Sequence, residues 1–132
     1  MHAKSQLRAG DVVVVRTGRP GDTALVPKEL AGSNLIDLIL VRTKRELAPA
    51  YLVEFMNSNY GRRQVFSGTA GTAQQHLNVS QFQKLSIPIP SISDQRALAE
   101  QIATLRTRSM QCGESCKRLV ELRQMLVGAL FA

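Results

Sequence analysis

With 132 residues, 44% of them hydrophobic, the chain is long enough for one modest core and too apolar for a wholly disordered tail. Its 17 Lys plus Arg against 10 Asp plus Glu leave a net charge of +7, which favours a polyanion or an acidic protein surface as partner without choosing between them. No apolar run approaches the roughly 20 residues of a membrane span, and Met1-His-Ala-Lys-Ser5 lacks the apolar segment of a signal peptide, so a cytoplasmic chain without membrane contact is expected.

Taken in chain order, Val12 to Val15 is β-branched throughout and bounded by Gly10 and Gly18-Arg-Pro-Gly21, which predicts a buried strand running into a turn. Thr23 to Val26 is its expected partner. Leu35 to Thr43 is too continuously apolar for a two-faced strand and is predicted to be central in the sheet, with Asp37 near its entrance. After Pro49, acceptable in a first helical turn, Leu52, Phe55 and Met56 recur at helical spacing. A second short helix is expected over Tyr60 to Phe66 with Arg62 and Arg63 exposed, ending before Gly68 and Gly71. Thr69 to Gln75 is polar and reads as a loop. Ser80 is a suitable cap for a turn over Gln81 to Leu85, and Pro88 and Pro90 hold Ile87 to Ile89 extended in a form that only an edge strand tolerates.

The last third changes period. Ser93 is predicted to cap a helix starting at Asp94, whose charge suits that end. From there Leu98, Ile102, Leu105, Ser109, Cys112, Cys116, Leu119, Arg123, Leu126 and Leu130 alternate steps of four and three, a heptad-like seam without proline. Gly113 costs about 1 kcal/mol in a helix interior and points to close packing there. A stripe of this length must be covered, and a second copy of the chain is the expected cover: a homodimer through the C-terminal helix, with Leu98, Ile102, Leu105, Cys112, Cys116, Leu119 and Leu126 as its interface. Cys112, midway between Leu98 and Leu126, then lies near the two-fold axis or is simply a buried small apolar residue. These two cysteines, the only ones, form no convincing structural metal site with the two histidines, and they fit a reducing compartment. No metal or cofactor is expected.

The order of four segments carries a further reading. Leu7-Arg-Ala-Gly-Asp-Val12, Pro49-Ala-Tyr-Leu-Val-Glu-Phe-Met-Asn-Ser58, Gly71-Thr-Ala-Gln-Gln-His-Leu-Asn78 with Phe82-Gln-Lys-Leu-Ser-Ile-Pro-Ile-Pro90, and Asp94-Gln-Arg-Ala-Leu-Ala-Glu-Gln-Ile102 together resemble the specificity subunit of type I restriction-modification enzymes. The resemblance covers most of the chain. It implies a subunit that reads double-stranded DNA, performs no chemistry, and leaves catalysis to methyltransferase and restriction subunits. The expected fold is α+β: an irregular, twisted β-rich core with short helices over residues 1–92, a partial target-recognition domain, followed by one long amphipathic helix over 93–132 for dimerisation or spacing. Only nine residues precede Gly10, fewer than the family pattern implies, so a truncated or stand-alone half-subunit is expected.

Candidate contacts follow from residue chemistry. Arg16 and Arg19 flank the Gly18 turn, and Lys44 and Arg45 follow the third strand; long cations on loops of a rigid sheet suit phosphate contacts, although paired basic residues are usually just solvated surface. Gln74 and Gln75 have the amide geometry to pair with adenine, while Gly71, Leu77 and Asn78 read as scaffold. An enzyme is not expected: His2 is terminal, His76 has only Ser80 nearby, and no paired acids or metal-binding spacing occur. The C-terminal helix mixes Glu100, Glu114 and Glu121 with Arg106, Arg108, Lys117, Arg118 and Arg123, so it is expected to face protein. The alternative function is a truncated interaction module that dimerises or binds a methyltransferase without reading DNA.

Overall fold

The computed structural model describes residues 6–67 and 76–130, with side chains to 126. Within them lie three strands, β1 (Val12–Val15), β2 (Thr23–Leu25) and β3 (Leu38–Val41), and four α-helices, α1 (Pro49–Asn57), α2 (Asn59–Phe66), α3 (Val79–Phe82) and α4 (Ile92–Leu130). The α+β class is as expected, and the chain divides into two compact units, residues 1–99 and 100–132.

The sheet is antiparallel in the order β2-β1-β3. The all-valine strand is therefore the central one, and the expectation that the Leu35 to Thr43 run is central is wrong. That run is cut by Asp37, which adopts a left-handed conformation with φ of 58°, so only Leu38–Val41 pairs and the preceding Ile36 is 89% exposed. Along β1 the pleat sends Val12 and Val14 into the core, fully buried, and leaves Val13 and Val15 half-buried. The turn to β2 closes through Val15 N–H to Asp22 O (2.8 Å) and Gly21 N–H to Val15 O (2.9 Å), with Gly18 at φ of 86° where a side chain would be strained.

An asparagine side chain serves the outer edge of β2. Asn57, at the end of α1, accepts from Thr23 N–H (3.1 Å) and donates to Thr23 O (2.8 Å), completing backbone groups that a further strand would otherwise satisfy. Helix α1 begins at Pro49 and buries Leu52, Val53 and Met56 against Val12, Val14 and Ile39. Ser58 then caps α2, accepting from Gly61 N–H (3.3 Å), and Val65 and Leu77 close the core. Of the two arginines expected to be exposed on α2, Arg63 is, whereas Arg62 is half-buried in an ion pair with Asp22 (2.6 Å).

Three local expectations shift. Helix α3 spans Val79–Phe82 with Asn78, not Ser80, at its N-cap, and the Asn78 N–H is held by the Gln81 side-chain oxygen (2.9 Å). The Pro88 and Pro90 segment is no edge strand; instead the Gln64 amide accepts from Ser86 N–H and donates to Ser86 O, both at 2.8 Å, and the Tyr51 hydroxyl donates to Pro88 O (2.9 Å). Two prolines remove the donors a ladder requires, so single side chains make the attachment. Helix α4 starts at Ile92, two residues before Asp94, with the Ser91 hydroxyl, not that of Ser93, accepting from Asp94 N–H (3.2 Å) and donating to its carboxylate (2.6 Å).

One turn into α4, Gln95 is completely buried. Its side-chain oxygen accepts from Ala48 N–H, and its amide nitrogen donates to Glu46 O and Pro90 O, all at 2.8 Å. Those bonds tie the first turn of α4 to the segment before α1. The helix then runs through Gly113 without a break, about 58 Å in total at 1.5 Å per residue. In the second unit every described side chain is exposed, including Leu105, Leu119 and Leu126.

Candidate nucleic-acid interface

The four candidate cations do not converge on one end of the sheet. Because β1 and β3 are antiparallel with Val12 opposite Val41 and Val15 opposite Leu38, Arg16 and Arg19 leave one end, and Lys44 and Arg45 leave the other. Four residues of strand separate the two groups by at least about 13 Å.

At the first end the backbone continues past β1 into a short bridge with the segment after residue 75, Leu77 N–H donating to Arg16 O (2.9 Å). This brings His76 between Arg16 Nη2, 3.0 Å from its Nε2, and Thr17 Oγ1, 2.8 Å from its Nδ1. A guanidinium has only donors, so His76 Nε2 accepts and the ring proton sits on Nδ1, from which Thr17 Oγ1 accepts. Arg16 is thus a half-buried, anchored cation whose Nε is buried without a partner among the described residues. His76 is not the partner of Ser80 but the organiser of this corner.

Arg19, in contrast, is exposed in the turn. The acid next to it in space and sequence, Asp22, is already paired with Arg62, so Asp22 is engaged by another cation while Arg19 faces solvent. Lys44 and Arg45 are likewise exposed, in a turn closed by Leu47 N–H to Lys44 O (3.1 Å). Gln74 and Gln75, with Gly71, lie outside the described residues. Leu77 is in the core, 2% exposed, and Asn78 caps α3, so both act as scaffold.

Arg42, which the sequence analysis did not single out, is structural. Its Nε meets Asp11 Oδ1 at 3.1 Å and its Nη2 donates to Gln6 O at 2.8 Å, while Arg8 N–H donates to Asp11 Oδ2 at 2.9 Å. Burial pushes the Asp11 carboxyl up, but the hydrogen bonds from Arg42 and the Arg8 amide, with the charges of both arginines, outweigh it and hold the group below its ordinary value of 3.8. The stabilisation is therefore complete above that value and is lost as pH falls through the lower, folded-state one. Urea midpoints measured from about pH 6 down to about pH 2 should fall more for the native chain than for Asp11→Asn, which lacks this proton-linked component.

A cleft of about 330 Å³ lined by Gln64, Val65, Ser67, Leu77, Gln81, Lys84 and Leu85 holds a single charged group, and no set of three metal-ligating side chains occurs among the described residues. No described helix is long and apolar enough to cross a membrane.

Residues 3–112 match the family model described as the type I restriction modification DNA specificity domain. The chain belongs to this family. It is 29% identical over 86 residues to the type I restriction enzyme StySPI specificity subunit of Salmonella potsdam, covering 65% of this chain and 18% of that protein. Among solved structures, the HsdS subunit from Thermoanaerobacter tengcongensis superposes with a TM-score of 0.68 at 24% identity over 84% of this chain, a likeness of fold. A chain from a structure describing complex assembly and conformational transition of the type I restriction-modification system gives a TM-score of 0.69 at 27% identity over 83%. This specificity-domain chain spans 30% of each of those two.

Proposed function

We propose that this chain is a non-catalytic DNA-recognition component of a type I restriction-modification system, acting in the cytoplasm where its duplex lies. The observation that carries the reading is membership of the specificity-domain family across residues 3–112. The exposed cations on the globular part support it: Arg19 at one end of the sheet and Lys44 with Arg45 at the other are separated by at least about 13 Å of strand, so the two groups suit separate phosphates along a duplex. Arg16, anchored by His76, sets the geometry of the first group, and Gln74 and Gln75, adjacent in sequence to His76, are the proposed base readers. Residues 1–92 then serve recognition and 93–132 serve assembly, with any methyltransferase subunit supplying the chemistry.

Fluorescence anisotropy with mixed-sequence duplexes at about 50 and 200 mM salt tests this. Three phosphate contacts predict a fall in affinity of roughly fortyfold between those salts. Absent or salt-insensitive binding, alone and with a partner methyltransferase, would leave the interaction-module reading in its place.

Assembly through α4 is the second part of the proposal. Ile102 and Leu119 are 38% and 65% exposed in the single chain, so their apolar surface is available to a second copy. Pairing the seam would remove roughly 1,000 Å² from water, enough for a specific interface. Replacing both by aspartate costs the isolated helix little and puts carboxylates into the seam, so the expected outcome is a folded monomer in sedimentation velocity where the native chain is a dimer. A native chain that sediments as a monomer at micromolar concentration would contradict it.

A further inference from the structure

Three arginines of the first unit are held by other side chains, and one of them is held differently. Arg42 meets the Asp11 carboxylate at 3.1 Å and Arg62 meets that of Asp22 at 2.6 Å, so each has its charge offset. Arg16 is braced as closely, with Nη2 standing 3.0 Å from His76 Nε2, yet a ring nitrogen that accepts a hydrogen bond carries no negative charge. No carboxylate pairs with Arg16 among the described residues.

The brace also selects which donors remain. Of the five guanidinium protons, the one on Nε is buried without a partner among the described residues, and one on Nη2 is taken by His76. Both protons of Nη1 and one of Nη2 are left. The ring that holds Arg16 is itself fixed, with Thr17 Oγ1 at 2.8 Å from Nδ1, and the adjoining Leu77 N–H donates to Arg16 O at 2.9 Å. Backbone and side chains thus tie the same two segments, and the guanidinium plane is set before any ligand arrives.

An ordered guanidinium with uncompensated charge and free Nη protons suits a planar pair of acceptors. Guanine presents such a pair, N7 and O6, on its major-groove edge, and recognition there depends on the plane and direction of the fork. Phosphate contact needs no fixed fork, and the exposed Arg19, Lys44 and Arg45 suffice for it. Holding the side chain in place beforehand also lowers the ordering cost of binding.

We infer that Arg16 is a specificity-determining residue that reads one guanine through N7 and O6 in the major groove, with His76 as its positioning residue. The inference rests on the DNA-recognition reading above and adds a base contact to it.

The probe is a library of duplexes with a randomised central stretch, incubated with the full chain, the bound fraction being sequenced. The native chain should prefer guanine at one position by roughly ten- to a hundredfold. Arg16→Lys keeps the charge and loses the fork, so the preference at that position should disappear while the other positions of the site keep theirs. His76→Ala should weaken the same preference, and His76→Gln, whose amide oxygen can accept from Nη2, should restore most of it. A merely structural role would lower stability without singling out one base. Should Arg16→Lys not fold, the two His76 variants carry the test. An Arg16→Lys chain that retains the guanine preference overturns the inference. So does a loss spread evenly over all positions, with the slope of log K against log salt flatter by about 0.9 in Arg16→Ala; Arg16 is then a phosphate contact, and DNA recognition stands. A native chain that binds no duplex overturns the recognition reading and this inference together.

Discussion

Replacing Gln95 by alanine should destabilise the first unit by about 3 kcal/mol, which corresponds to a fall in Tm of roughly 15 °C. The side chain is completely buried and makes three hydrogen bonds, to Ala48 N–H, Glu46 O and Pro90 O. Truncation leaves those three backbone groups without partners in a site where water has little access. Gln95→Glu separates hydrogen bonding from volume: the carboxylate still accepts from Ala48 N–H but faces Glu46 O and Pro90 O with no proton to donate. It should therefore be nearly as damaging as alanine at neutral pH. Thermal unfolding followed by circular dichroism reads both variants, and a Gln95→Glu chain of native stability would mean that the two donated bonds contribute nothing.

Gly61→Ala should also destabilise, by about 2 to 3 kcal/mol, although glycine to alanine inside a helix ordinarily stabilises by close to 1 kcal/mol. The sign inverts because of where α1 and α2 meet. A Cβ at residue 61 would overlap the Phe55 carbonyl oxygen and stand 2.7 Å from Met56 Cα and 2.8 Å from Met56 O. These are backbone atoms, and Met56 is itself fully buried, so no side chain can swing aside to make room. A urea midpoint raised above that of the native chain would show that the two helices separate without cost.

Both residues illustrate what a linear reading can and cannot reach. The strand at Val12–Val15 was legible because four β-branched residues between glycines leave little alternative, and α1 and α2 were legible from their period and from Pro49. The long α4 followed from its seam. The order of strands was not legible: apolar runs reveal burial but not which edge pairs with which, and the positive φ at Asp37 that shortens β3 has no strong local signal. Cap positions failed for a different reason. Ser91 and Ser93 are equally good acceptors, as are Asn78 and Ser80, and the choice depends on where the first turn packs.

The side-chain bonds that replace strand pairing, made by Asn57, Gln64 and Gln95, link segments 22 to 49 residues apart. Glutamine in a polar stretch gives no hint of such a partner. For the interface, the residue types were visible but their spatial grouping was not. Antiparallel register alone sends Arg16 and Arg19 away from Lys44 and Arg45, and the hydrogen bond of His76 with Arg16 joins positions 60 apart. Proximity in sequence to Ser80 pointed to the wrong partner.

The central claim is that the globular part binds phosphates while α4 faces protein. The most direct test is the slope of log K against log salt for duplex binding by three chains: native, Arg19→Ala with Lys44→Ala, and Arg106→Ala with Arg108→Ala. The first pair takes one exposed cation from each end of the sheet and should flatten the slope by nearly two units, about 0.9 for each phosphate left without its cation. The second pair, on α4, should leave the slope of the native chain unchanged. An unchanged slope for Arg19 and Lys44 together with a flattened one for Arg106 and Arg108 would contradict the account and move the DNA to the helix.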